Sequence, residues 1–219
     1  MLSGPRESAL AMELDAHNAL LKRNASTIQK LDNEVVSERV MEYIHGAKKR
    51  EDTLVKSKDS QLDAKSRKKA KEDLDHLPEA GCPLIICAPP GSGRTATIAH
   101  LAEKFSHTKE ASHFALIYRC IGATPLSSDG RLLLDGLCQD LSRLLATPRL
   151  GARPPSYNHL LREFMEQLRM LGNKKPVVLF LDGLDNLPAT DHARRLAWLP
   201  RHLPSNVLVI ASCRQPPKP

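Results

Sequence analysis

Apolar residues recur at spacings of three to four along the first 47 residues, and the positions between them are largely charged or polar. This period matches the turn of an α-helix and predicts an amphipathic helical extension over residues 1–47. Its apolar face has to pack on the domain that follows or on another chain. The apolar stripe consists of Leu10, Leu14, Ala16, Leu20, Leu21, Ile28, Leu31, Val35, Val36, Val40 and Ile44.

The next segment, residues 48–78, has a different composition. Its first part, residues 48–75, is rich in Lys, Arg, Asp and Glu, has few apolar residues, and contains no Gly or Pro. Such a composition buries little apolar surface and predicts a solvated helix or a charged linker. The basic run at Arg67–Lys71 fits an exposed linker face better than a binding site.

Short apolar runs alternate with helical patterns over residues 79–219. This alternation predicts an α/β fold, a three-layer sandwich with a parallel sheet of about four to five strands. Because no helix follows the last strand, we expect this domain to be truncated at its C-terminus. The pattern predicts a strand, a loop and a helix within Pro83–Phe105, strands at Phe114–Cys120, Pro176–Asp182 and Asn206–Arg214, and helices at 128–146, 156–172 and about 191–202.

The positive charge of the chain lies in the α/β part. The formal net charge is +7, residues 1–80 carry 15 basic and 15 acidic side chains, and the remainder carries 17 basic and 10 acidic ones. A basic domain suits a polyanionic ligand such as a nucleotide. No interleaving of aromatic and basic residues supports base readout, so a nucleic-acid partner is not expected.

Five cysteines occur without CxxC or Cys/His metal spacing, which predicts reduced, buried core thiols in a cytoplasmic protein. The N-terminus has no apolar core of a signal peptide. No apolar run approaches the ~20 residues that span a bilayer, so no membrane span is expected.

A glycine-rich loop follows the first predicted strand. Residues 88–95 read APPGSGRT and approach the phosphate-loop (Walker A) pattern GxxxxGK[ST], with Ala88 in place of the first Gly and Arg94 in place of Lys. Glycines let backbone N–H groups approach phosphate oxygens, and the following helix adds its positive N-terminal end. The predicted nucleotide-binding residues are Pro90, Gly91, Ser92, Gly93, Arg94, Thr95 and Ala96.

Arg94 is the main departure from this pattern. A Lys ammonium is a compact point charge, whereas a guanidinium is larger and planar. Arg94 can still neutralise phosphate, so we expect binding to survive and hydrolysis to be slow or absent. At most a weak nucleoside triphosphatase is predicted.

The strand at Pro176–Asp182 is apolar and ends in Asp182, which is the Walker B arrangement. Asp182 and Thr95 are the predicted Mg²⁺ residues. Asp185 is placed to orient an attacking water, and Arg214 lies where ligands bind at the carboxyl ends of parallel strands. Asp185 and Arg214 are therefore the predicted catalytic residues. Arg119 and Arg131 are weaker candidates, expected at the surface.

With these motifs in place, residues 83–214 resemble the NACHT domains of the STAND P-loop NTPases, of the type found in nephrocystin-like and telomerase-associated-like repeat scaffolds. The most specific parts are IGATPLSS at Ile121–Ser128 and WLPRHLPSNV at Trp198–Val207. The resemblance implies a domain at residues 79–219 that binds ATP or GTP with Mg²⁺. It also implies a slow switch that controls the assembly of signalling complexes.

Two functions from different classes remain open. One is a nucleotide switch or scaffold module, with protein partners that bind the N-terminal helix or C-terminal repeats outside this chain. The alternative is a nucleotide-independent interaction module on a degenerate P-loop fold, which Arg94 favours. The intact Gly91, Gly93, Thr95 and Asp182 favour the first. The residues do not distinguish ATP from GTP.

Overall fold

Four parallel strands with helices on both faces form the centre of this computed structural model. The structure describes residues 5–26, 34–58, 63–66, 68–69, 81–147, 156–204 and 206–214. The helices are α1 (Pro5–Ser26), α2 (Glu34–Lys58), α3 (Arg94–Ser106), α4 (Gly130–Leu145) and α5 (Tyr157–Lys174), and the strands are β1 (Leu84–Ala88), β2 (Ala115–Cys120), β3 (Val177–Asp182) and β4 (Val207–Arg214).

The strand order in the sheet is β1-β4-β3-β2, and every neighbouring pair is parallel. The register places Ala88 beside Arg214 and Cys120 beside Asp182. All four strands therefore end at the same edge of the sheet, where ligands of open α/β sheets bind. The predicted α/β class with a parallel sheet is confirmed.

Two cores, one on each face of the sheet, give the fold three layers. Side chains along β3 alternate between them. Val178 and Phe180 pack with α3, whereas Val177, Leu179 and Leu181 pack with α4 and α5. All six residues of β3 are buried, as expected of a central strand covered on both faces.

The helices α4 and α5 each begin at a residue whose side chain accepts hydrogen bonds from N–H groups of the first turn. The carboxylate of Asp129 accepts hydrogen bonds from the backbone of Arg131 and Leu132, and Ser156 caps α5 in the same way. Both helices turn an apolar face toward the sheet. The predictions of helices over 128–146 and 156–172 are confirmed.

The N-terminal extension contains two helices. Helix α1 packs along α3 and reaches β2, and Ala25 lies in the same core as Val40 and Ile44 of α2. Val40 and Ile44 of the predicted stripe thus face the domain of the same chain, whereas Val35 is 69% exposed. Ile28 and Leu31 of the stripe lie outside the described residues, as does most of the charged segment beyond Lys58. The division into the segments 1–47, 48–78 and 79–219 stays a prediction.

The helix expected at about 191–202 is wrong. The structure has a short 3-10 helix at Thr190–Arg195, which ends because Leu196 adopts a left-handed conformation with φ 55°. Pro200 and Pro204 lack the N–H group that a longer helix would need. Trp198 is buried and donates its indole N–H to the carbonyl of Ala193, so tertiary packing sets this segment.

Candidate functional site

The loop between β1 and α3 makes two left-handed turns, at Gly91 (φ 77°) and Gly93 (φ 80°). Only glycine adopts these angles without strain, which explains why the sequence places glycine at both positions. Within the loop, the Ser92 hydroxyl donates to the carbonyl of Pro89 at 2.7 Å. The side chain of Ser92 thereby fixes the loop that the sequence predicted to bind phosphate.

The first turn of α3 keeps its backbone N–H groups available. Gly93 is the N-cap, no side chain caps the helix, and the first turn has no acidic residue. Around Gly91 the position of a Cβ atom is open, with nothing within 4 Å. Uncapped N–H groups and the helix dipole attract anions, so this loop fits a phosphate group.

Asp182 ends β3 and is 2% exposed. Its Oδ1 accepts a hydrogen bond from the Ser212 hydroxyl at 2.6 Å, and its Oδ2 accepts one from the Cys120 thiol at 3.5 Å. Ser212 in turn accepts from the Gly183 backbone N–H at 2.9 Å. Side chains from β2, β3 and β4 therefore fix the orientation of one carboxylate, whose oxygen atoms are the ligands that Mg²⁺ prefers.

The Cys120 thiol stays protonated in this position. Burial, together with the nearby Asp182 carboxylate, raises the pKa of Cys120 to about 12. A neutral thiol donates a weak hydrogen bond and adds no second negative charge beside Asp182. We infer that Cys120 orients the carboxylate and does not compete with it for a cation.

Asp185 brings three predicted site residues together. Its Oδ1 lies 3.4 Å from Nη1 of Arg94 and accepts the backbone N–H of Arg214 at 2.8 Å. The Nε of Arg214 lies 3.8 Å from the other oxygen of Asp185. The start of α3, the turn after β3 and the end of β4 are thus connected through one carboxylate.

The remaining predicted residues lie around this cluster, and their roles stay predictions. Thr95 and Ala96 are the second and third residues of α3, and Thr95 is exposed. Pro90 and Ser92 are exposed in the loop. The structure therefore assembles the loop, Asp182, Asp185 and Arg214 on one edge of the sheet.

Asn186 has a structural contact. Its Nδ2 donates to the carbonyl of Ile121 at 2.9 Å, and it lies against Gly122 and Gly183, where a Cβ atom would approach it to 3.0 Å and to 2.7 Å, respectively. Asn186 therefore ties the loop after β2 to the loop after β3. An ionised acidic side chain at this position has no N–H group and could not donate the hydrogen bond to Ile121.

Arg119 is not the surface residue that was expected, because it is 2% exposed. Its guanidinium bonds to the carboxylate of Asp140 in α4, and Arg143 lies 3.7 Å from the other oxygen of Asp140. Burial raises the pKa of Asp140, and the two guanidiniums oppose that rise. The sequence does contain a signal for this buried pair, since Arg119 lies within an apolar strand and Asp140 lies on the apolar side of a helix.

Helix α1 contributes a buried polar contact that the sequence reasoning missed. His17 is fully buried, its Nδ1 accepts the backbone N–H of Cys120 at 3.1 Å, and its Nε2 is 2.9 Å from Glu13. Because Nδ1 accepts, the proton lies on Nε2 and is donated to Glu13. The Thr124 hydroxyl also bonds to Glu13. Both residues interrupt the apolar stripe of α1, which was the available signal.

This contact predicts that stability depends on pH. Burial, together with Arg119, lowers the pKa of His17 below its ordinary value of 6.5. The unfolded chain therefore binds a proton more readily than the folded chain, so acid favours unfolding. The free energy of unfolding is expected to fall as the pH decreases below 6.5, by up to about 1.4 kcal/mol per pH unit from this group.

Urea unfolding between pH 7 and pH 5 measures this slope. The His17→Gln variant should show a smaller slope than the parent chain. The matched control is His159→Gln on α5, whose side chain is 60% exposed and should leave the slope unchanged. An equal slope in the parent and in His17→Gln would contradict the assignment.

An all-parallel sheet, a glycine loop leading from its edge strand into a helix, and a buried aspartate at the end of a central strand define a P-loop NTPase. Residues 67–210 match the family model described as an AAA ATPase domain, and the chain belongs to that family. A P-loop domain of this kind implies nucleotide binding, usually with Mg²⁺.

Comparison with curated proteins confirms the resemblance to NACHT-domain proteins. The chain is 34% identical over 138 residues to NACHT and WD repeat domain-containing protein 2 of Homo sapiens, covering 59% of this chain and 8% of that protein. It is 31% identical over 135 residues to NACHT domain- and WD repeat-containing protein 1 of Homo sapiens, covering 60% and 9%, respectively. The chain thus spans less than a tenth of these relatives.

Among the helices in the described part of the chain, none has the length and apolar character needed to cross a membrane.

Proposed function

We propose that this chain is a module that binds ATP or GTP with Mg²⁺ and acts as a switch or scaffold, with slow or absent hydrolysis. The observation that carries the proposal is the uncapped loop at Gly91–Thr95 on the same sheet edge as the buried Asp182. Backbone N–H groups of the loop would bind phosphate oxygens. Asp182 and the Thr95 hydroxyl would hold Mg²⁺, which offsets the charge of the phosphates.

Arg94 supports slow or absent hydrolysis. In this structure its guanidinium faces Asp185 at 3.4 Å. To reach a phosphate oxygen, Arg94 would have to exchange this carboxylate for the phosphate. The Oδ1 oxygen of Asp185 already accepts from Arg94 and from the backbone of Arg214, so a water molecule bound to this oxygen would compete with the ion pair. One ion pair thus engages both the cation of the loop and the carboxylate that is predicted to orient water.

The same ion pair supports a switch. Asp185 connects the start of α3 to the end of β4 through Arg94 and Arg214. If Arg94 moved to a phosphate, Asp185 would keep only its contacts with Arg214. Nucleotide binding would then change the contacts of Arg214 at the end of β4. A change of partner at one carboxylate is a local electrostatic event of the kind that biases a two-state element.

We also propose that the chain has protein partners and a cytoplasmic location. The names of the relatives include NACHT and WD repeat domains, and repeats of that kind would lie outside this chain. The five cysteines are free thiols, which fits a reducing compartment. Met12 on α1 and Val35 on α2 are 70% and 69% exposed and offer apolar contacts to a partner.

The alternative is an interaction module that needs no nucleotide. The specific observation in its favour is the Arg94–Asp185 pair, which neutralises the loop cation inside the protein. Under this alternative the pair would be a structural contact that ties α3 to the turn after β3. Nucleotide binding by the purified chain distinguishes the two functions.

Binding of fluorescent ATP and GTP analogues with Mg²⁺ tests the proposal. The parent chain is expected to bind one of them saturably. Arg94→Ala removes a charge-assisted hydrogen bond to phosphate and should weaken binding by roughly 10- to 100-fold. The matched control is Arg169→Ala on α5, whose side chain is 59% exposed and should bind as the parent does.

Absence of saturable binding by the parent chain at millimolar nucleotide would contradict the proposal and favour the interaction module. Unchanged affinity in Arg94→Ala would assign Arg94 to the ion pair with Asp185 alone. A hydrolysis assay on the binding-competent chain then tests the expectation of slow turnover.

A further inference from the structure

Two cysteines lie side by side at the ends of β1 and β4. The parallel register makes Cys87 and Cys213 direct neighbours across the two strands. Their sulfur atoms are 3.1 Å apart, close enough for one thiol to donate a hydrogen bond to the other. Since residues paired in this way point to the same face of the sheet, the two side chains converge.

The spacing of the strands permits a covalent bond between these sulfurs. Neighbouring strands lie about 4.8 Å apart, and the Cα atoms of disulfides are about 4.4–6.8 Å apart. An S–S bond is about 2.04 Å long. From 3.1 Å, the two sulfurs need to approach by only about 1 Å, which side-chain rotation can supply.

The other three cysteines lack such a neighbour among the described residues. Cys120 donates to Asp182, Cys138 is buried and donates to the carbonyl of Leu160, and Cys82 is a free, exposed thiol. The expectation of buried core thiols is confirmed for Cys138, whereas Cys120 and Cys213 are partly buried and Cys82 and Cys87 are exposed. Cys87 is therefore within reach of a soluble oxidant.

The two thiols of the pair differ in environment. Cys87 is exposed on the edge strand, whereas Cys213 is partly buried against the core below α4 and α5. Burial, together with the hydrogen bond to Cys87, raises the pKa of Cys213 to about 12. The exposed sulfur of Cys87 is therefore the one of the two that a soluble disulfide reaches first.

We propose that Cys87 and Cys213 form a reversible redox pair that closes to an intrachain disulfide in the presence of a small disulfide such as oxidised glutathione. The Cys87 thiolate attacks a sulfur of oxidised glutathione, forms a mixed disulfide and releases one glutathione thiolate. Cys213 then loses its proton and attacks the Cys87 sulfur. The second glutathione leaves as a thiol, so two protein thiols are oxidised and one glutathione disulfide is reduced.

The position of the pair couples it to the loop. Cys87 precedes Ala88, where the glycine-rich loop begins, and Cys213 precedes Arg214, whose backbone bonds to Asp185. A disulfide here would link the end of β1, from which the glycine-rich loop starts, covalently to the end of β4. The chemistry rests on the two thiols alone and does not require that the loop bind nucleotide.

The test treats the full chain with oxidised glutathione without nucleotide, alkylates the free thiols with iodoacetamide and identifies the modified peptides by mass spectrometry. The expected product has lost two hydrogens, carries a linked Cys87–Cys213 peptide, and is alkylated only at Cys82, Cys120 and Cys138 after denaturation. Dithiothreitol should restore five alkylated cysteines.

Serine variants fix the order of attack. Cys213→Ser should accumulate a stable glutathione adduct at Cys87, whereas Cys87→Ser should form little adduct at the half-buried Cys213. The matched control is Cys82→Ser, which removes another exposed thiol and should leave the Cys87–Cys213 linkage intact. Circular dichroism verifies that each variant is folded.

Three results would overturn the proposal. One is a parent chain that keeps glutathione on Cys87 without forming the linked peptide. The other is a chain in which all cysteines remain alkylatable after oxidation. Linkage through Cys82 in place of Cys213 would equally exclude this pair.

Discussion

Replacing Asp140 by alanine is expected to lower the free energy of unfolding by about 3–5 kcal/mol. The variant leaves the guanidinium of Arg119 buried in the sheet without its carboxylate partner. Arg119 is 2% exposed and Asp140 is 6% exposed, so the guanidinium has little access to solvent in the parent fold. An unpaired buried charge is among the few changes that cost this much.

The lower free energy of unfolding in Asp140→Ala should come from the unpaired charge of Arg119 and not from the loss of the ion pair as such. A double variant, Arg119→Met with Asp140→Leu, removes both charges and keeps apolar volume in the core. We expect it to regain most of the stability, since buried ion pairs are often replaceable by apolar side chains. Urea unfolding of the parent chain, Arg119→Met, Asp140→Leu and the double variant gives the coupling free energy.

An exposed ion pair provides the control. Glu166 and Arg169 form a salt bridge on α5, and their side chains are 54% and 59% exposed. Glu166→Ala should change stability little, because solvent screens such pairs. A loss in Asp140→Ala no larger than that in Glu166→Ala would contradict the interpretation of Arg119 and Asp140 as a buried pair.

The Arg119–Asp140 pair also marks where sequence reasoning ended. The two residues are 21 positions apart in different elements. The pattern identified β2 and α4 separately, since alternation and helical period are local signals. Which residue of β2 faces which residue of α4 depends on packing, so the sequence alone does not show that Arg119 is buried against Asp140.

Local signals were sufficient for the strands and for the loop. The apolar runs predicted all four strands, and the glycines at 91 and 93 occupy the left-handed turns that the loop requires. The local signals predicted a long helix at residues 191–202 that does not form, because burial of Trp198 in the core competes with helix formation. Likewise, nothing local indicated that Arg94 and Arg214 would share Asp185.

Asp182 tests whether this edge of the sheet holds a metal ion. Asp182→Asn keeps the size of the side chain and removes its charge. The Ser212 hydroxyl and the Cys120 thiol, both donors to the carboxylate, would then face an amide that can accept from only one of them. Affinity for a nucleotide analogue with Mg²⁺ is expected to fall by about 100-fold, whereas affinity in the presence of EDTA should change little.

The partner of Asp182 refines this expectation. Ser212→Ala leaves the charge and removes the 2.6 Å hydrogen bond that orients it, so we expect a smaller loss of about 10-fold in Mg²⁺-dependent affinity. Asp15→Asn on the exposed side of α1 is the matched control and should bind as the parent does. Equal affinities with Mg²⁺ for the parent and Asp182→Asn would place the cation elsewhere. An intermediate Ser212→Ala value would show that orientation as well as charge makes Asp182 a ligand.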